Sequence, residues 1–66
     1  MDVKYPDVAV RLSGTDGSAF SIIGRVAGAL RREVSREAAK EFSDAAFECG
    51  SYDQVLQLCM RTVDVS

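Results

Sequence analysis

The residues able to do chemistry are few, and their spacing argues against most of it. Cys49 and Cys59 are the only thiols in the 66-residue chain, and they lack the CxxC spacing of a redox or zinc motif. There is no histidine, which removes the commonest general base, the commonest zinc and iron ligand, and every triad built on an imidazole. The cysteines are read as buried free thiols, the usual state in a reducing cytosol, rather than as a disulfide. Carboxylates line up only at Glu37, Glu41, Asp44 and Glu48. Solvent would keep that row ionised, so neither a raised pKa nor a metal site is expected there. Serines are plentiful, yet none has an evident base. The run Ser13-Gly14-Thr15-Asp16-Gly17-Ser18 places glycines and hydroxyls before a helix start, where free N–H groups favour anions. It lacks the lysine and spacing of a P-loop, and Asp16 repels phosphate, so it is read as an ordinary strand-to-helix turn. The chain is expected to be no enzyme and to carry no cofactor.

Any chemistry must be presented by a small scaffold. With 47% apolar and 27% charged residues the chain is neither disordered nor a membrane span, and its length suits one small domain. Its longest apolar stretch, 19–30, is interrupted by Ser21, Gly24, Arg25 and Gly28 and is too short to span a bilayer. No secretory signal is apparent near the start, so a soluble, cytosolic protein is expected. A domain of this size buries only about 60% of the surface its unfolded chain exposes, which favours an oligomer or a partner.

Val8, Val10 and Leu12 alternate with Ala9 and Arg11, the period of a strand over about 7–12, with Pro6 just before it. Ser18 or Asp16 is the candidate cap of a first helix over 19–32. Steps of about 100° per residue place Ala19, Phe20, Ile22, Ile23, Val26, Ala27, Ala29 and Leu30 on its inner half. Ser35 caps a second helix, with Val34 and Ala39 in staple register and Gly50 suited to a left-handed C-terminal position. Its inner stripe is Ala38, Ala39, Phe42, Ala45, Ala46 and Cys49. Ser51 and Gln54 form a capping box for a third helix, whose inner face holds Tyr52, Val55, Leu56, Cys59, Met60 and Val63. Val63-Asp64-Val65 alternates again. It is expected to pair with the first strand, the alternative being that the first strand pairs across a dimer axis. The expected fold is mainly α with minor β: one N-terminal strand, three helices and a short C-terminal strand.

Two helical stripes stand out against this frame. The outer half of the first helix holds Ser21, Gly24, Arg25, Gly28, Arg31 and Arg32, and each glycine costs roughly 1 kcal/mol relative to alanine in a helix interior. Either these glycines admit another element of the domain, or the stripe is a docking face for an acidic helix or a phosphate backbone. The second helix carries Glu37, Glu41, Asp44 and Glu48 on one side, and like charges four residues apart repel. This row is either a solubilising face or the partner of a cationic surface. Phe47 lies opposite Phe42 and projects outward, as an interface residue does. Charge divides likewise. Residues 1–32 hold five cations and three acids, a net +2, whereas residues 33–66 hold three and seven, a net −4.

Nucleic-acid binding is the rival reading. Arg25, Arg31, Arg32 and Arg36 cluster around the first interhelical turn, as in a helix-turn-helix. An overall charge of −2, the acidic row and the absence of a stacking surface weigh against it.

The segments LSGTDGSAFSIIGRVAGALRR, residues 12–32, and CMRTVDV, residues 59–65, resemble a family of small uncharacterised proteins of actinobacteria and their phages and plasmids. The resemblance covers about half the chain, and the middle segment with the acidic row matches less clearly. It implies a phage or mobile-element accessory protein in a bacterial cytoplasm and transfers no functional residue. The resulting expectation is a non-enzymatic interaction module that self-associates or binds a host protein, with a small nucleic-acid-binding regulator as the alternative.

Overall fold

The computed structural model describes residues 3–12 and 18–66. The elements run β1 (Tyr5–Val10), α1 (Ala19–Glu33), α2 (Arg36–Phe47), α3 (Tyr52–Thr62) and β2 (Val63–Val65). β1 and β2 form a two-stranded parallel sheet, which requires a long crossover, and the three helices supply it. The terminal strand thus satisfies the first strand within the chain. The Lys4 N–H donates to the Arg61 carbonyl at 2.9 Å, the Ser66 N–H to Val10 at 3.0 Å, and the Leu12 N–H to Ser66 at 3.0 Å. Register runs Tyr5 to Val63, Ala9 to Asp64 and Val10 to Val65, with an irregularity between Tyr5 and Ala9. Pro6 lies inside β1 rather than before it, in the irregular stretch where a missing N–H is tolerated.

α1 is the central element and packs on α2, β1 and α3. Ile22, Val26 and Leu30 recur at four-residue spacing and are almost wholly enclosed, with Ile23 and Ala29 beside them. Against these lie Val8 and Val10 of β1, Ala38, Ala39, Phe42 and Ala46 of α2, and Val55, Cys59 and Val63 near the chain end. The small alanines of α2 bring it close to α1, and Phe42 fills the space they leave. Burial pushes the Cys59 thiol up to about 11, helped by the nearby Cys49 thiol. Cys59 therefore favours the neutral thiol, and that contribution to stability is lost as pH rises from the ordinary thiol value of 9.0 through 11. Both cysteines are free, Cys59 buried and Cys49 half-buried.

Serine hydroxyls start every helix. Ser18 Oγ accepts from the Phe20 N–H at 3.2 Å, Ser35 Oγ from Ala38 at 3.0 Å, and Ser51 Oγ from Gln54 at 3.2 Å. Asp16, the other candidate for the first cap, lies outside the described residues, as does the Ser13–Gly17 part of the anion-loop reading.

Several sequence expectations are corrected. Phe20 is 74% exposed, because it sits about 120° around the wheel from the centre of the arc that α1 buries. Ala45 is exposed because it sits about 75° around the wheel from the centre of the arc that α2 buries, and Cys49 is only half-buried because α2 ends at Phe47, before it. Gly50 has no left-handed backbone: Glu48 closes α2 in right-handed geometry. The Gly50 N–H instead donates to Gln54 Oε1 at 2.7 Å and completes the cap of α3. Tyr52 and Met60 face outward while Leu58 is half-buried, because α3 buries only the narrow row Val55, Cys59 and Thr62.

Candidate interaction face

α1 and α2 pack against each other along a long seam. At one end of it the exposed rings of Phe20 and Phe47 meet, centroids 5.9 Å apart and tilted by 49°. Such a pair is worth about 0.5–1.5 kcal/mol beyond its area, yet Phe47 remains 61% exposed despite the contact. The rings border a pocket of about 230 Å³ that reaches down to Ile23 and Val55, with Tyr52 on its far wall. Along the seam from the rings lies a shallow groove of about 620 Å³ floored by Gly24, Gly28 and Ala39, with Arg31, Arg36 and Lys40 on its walls.

The glycines are not demanded by the fold. A β-carbon built on Gly24 meets nothing within 4 Å, and one on Gly28 meets only Arg32 of the same helix, at 3.8 Å. Among the described residues, then, no other element of the domain comes close to either glycine. Gly24→Ala and Gly28→Ala are each expected to raise the stability of the isolated chain by about 0.5–1 kcal/mol. Urea melts in dilute solution check this, and a fall in midpoint would mean that the helix tolerates no methyl group there.

The structure divides the arginine stripe. Gly24, Gly28 and Arg31 line the groove, whereas the exposed Arg25 and Arg32 and the half-buried Ser21 lie outside its lining. From α2 the groove gains Arg36, Lys40 and Ser43. Wheel geometry confined to one helix passes over Lys40 and Ser43, because the seam is shared between two. Among the described residues no carboxylate pairs with Arg31, Arg32 or Arg36, which collect where α1 ends and α2 begins.

The acidic row is partly neutralised. Lys4 Nζ, 5.6 Å from the centre of the Tyr5 ring, donates to Glu41 Oε1 at 2.7 Å. That hydrogen bond and the charge beside it hold the Glu41 carboxyl below its usual range and Lys4 above its own. The pair thus favours the fold between those two limits, losing its effect as acid protonates Glu41 or base deprotonates Lys4. Lys40 Nζ meets Asp44 Oδ2 at 3.3 Å, within one helix. Glu37 and Glu48 are exposed and have no cationic partner among the described residues. Lys4 stands 37 residues from Glu41, so no local spacing pointed to that bond.

Among the described residues no group of three or more metal-ligating side chains is gathered, and no helix is long and apolar enough to cross a membrane. Comparison with family models, curated proteins and solved structures finds no match to this chain.

Proposed function

We propose that the chain is a non-enzymatic protein–protein interaction module and that the α1/α2 face is its docking surface. One observation carries this reading. The two large aromatic rings that α1 and α2 leave exposed touch each other, at one end of a seam whose glycines meet no other element among the described residues. Exposed aromatics beside a shallow small-residue groove suit the anchors of a partner protein, and arginines at the far end suit its carboxylates. A role as a phage or mobile-element accessory protein in a bacterial cytoplasm accompanies this reading, on the resemblance of residues 12–32 and 59–65.

The second reading, a small nucleic-acid-binding regulator, is favoured by the cluster of Arg31, Arg32 and Arg36, which no carboxylate pairs among the described residues. Against it, Asp44 of α2 and its C-cap Glu48 continue the row that Arg36 and Lys40 begin and would repel a phosphate backbone lying along it. A benzophenone side chain at position 47 tests the two in cells that express the protein. Light is expected to trap a protein adduct from position 47 and none from the exposed position 57 on α3. Retardation of mixed-sequence DNA or RNA at about 50 mM salt, abolished by Arg31→Glu with Arg36→Glu, would favour the regulator instead.

A further inference from the structure

Arg36, Lys40, Asp44 and Glu48 stand four residues apart and form one exposed ridge along α2. Its order is plus, plus, minus, minus. That order runs against the helix's own dipole, which favours acids at the N-terminal end and cations at the C-terminal end. Glu37 offsets Arg36 in the first turn, but the last turn contains no basic residue to offset Glu48. The Lys40–Asp44 contact occupies the middle of the ridge and leaves its two ends unpaired among the described residues. A charge order unfavourable to its own helix suits a neighbouring helix that runs the other way.

We infer that the α1/α2 face binds a second copy of this chain about a two-fold axis through the Gly24/Gly28 floor, with the two α2 helices antiparallel. The inference rests on reading this face as a protein-docking surface and names the partner. Reversal lays plus, plus, minus, minus against minus, minus, plus, plus. Arg36 then meets Glu48 of the second copy and the negative end of its helix, and Lys40 meets the second copy's Asp44. The same reversal carries the basic end of the seam toward the partner's exposed rings, where guanidinium groups stack on aromatic faces. Gly24 and Gly28 lie one helical turn apart and leave room for the opposing backbone to come close. A standard interface takes about 800 Å² from each partner, under a fifth of the 4409 Å² surface of this chain. One face of two helices can supply that area. A second copy fits better than a nucleic acid because the row that flanks the groove on α2 continues from Arg36 and Lys40 into Asp44 and Glu48, which repel phosphate.

Sedimentation equilibrium on the full chain, with Arg36→Glu and Glu48→Lys made separately, tests the inference. Each substitution corrects the helix's own dipole and so leaves the monomer fold at least as stable, which a thermal melt verifies. The wild type is expected to sediment at twice the chain mass, and each variant alone to dimerise at least about tenfold more weakly. An equimolar mixture of the two is expected to regain the wild-type association. The mixed pair sets the introduced carboxylate at position 36 of one chain against the introduced ammonium at position 48 of the other, and keeps the native contact at the second end. A wild type that stays monomeric to about 1 mM, or a mixture no tighter than either variant alone, overturns the two-fold pairing. If the wild type is monomeric while position 47 still traps a different protein, self-association fails and the docking-face reading stands.

Discussion

Leu30→Ala is expected to remove much of the stability of the fold. Leu30 has no exposed surface and lies in the last full turn of α1, within the one cluster that joins helices and sheet. Truncating a fully buried leucine costs about 2–5 kcal/mol through lost transfer energy and the cavity left behind. A domain of this length has only about 3–10 kcal/mol of stability in total, so one substitution removes much of it. Circular dichroism with temperature and urea would show the loss of a cooperative transition, or a midpoint lowered by more than about 10 °C. Leu30→Met, which nearly conserves volume, should cost less than about 1.5 kcal/mol and serves as the control. A melt of Leu30→Ala close to the wild type would mean that α1 is not the keystone its packing implies.

The second large effect is expected at the other end of the chain, from Val63→Asp. Val63 is wholly enclosed at the junction of α3 and β2, in register with Tyr5. An aspartate there must either desolvate a charge or take up a proton, and β2 would detach before paying that penalty. Loss of β2 strips β1 of its partner strand and uncovers Val8 and Val10. The neighbouring Asp64 is exposed, so Asp64→Ser should change stability by no more than about 0.5 kcal/mol. Amide exchange gives the readout. The Leu12 and Ser66 N–H groups, bonded across the pair, should lose protection in Val63→Asp and keep it in Asp64→Ser.

Wherever a signal was local, the sequence made the fold legible. The three serine caps needed only an oxygen near the first free N–H groups of each helix, and the Ser51/Gln54 pair was readable from its spacing. The alternation Val8, Val10 marked β1, and the four-residue recurrence of Ile22, Val26 and Leu30 marked the buried side of α1. The need of β1 for a backbone partner left two answers, β2 or a dimer axis, and the structure decided for β2. The candidate site was less legible. Phe47 could be read as outward from α2 alone, but Phe20 could not. Its wheel position sits at the edge of the apolar half, and only the width of the neighbouring elements decides which edge residues are covered.

By itself, then, the sequence determined the number and order of elements, the starts of the helices, most of the core, and the plus, plus, minus, minus order along α2. These are set by bonds and contacts within a few residues, where chain connectivity already supplies proximity. Only the tertiary structure decided that Phe20 meets Phe47, that Lys4 takes Glu41, and that Arg31 and Arg36 line one groove. It also decided that, among the described residues, no other element of the domain comes close to Gly24 or Gly28. The physical reason is the same in each case. Contacts between α1 and α2 depend on how deeply their alanines let the helices settle together, and that depth is a property of the packed pair rather than of either segment.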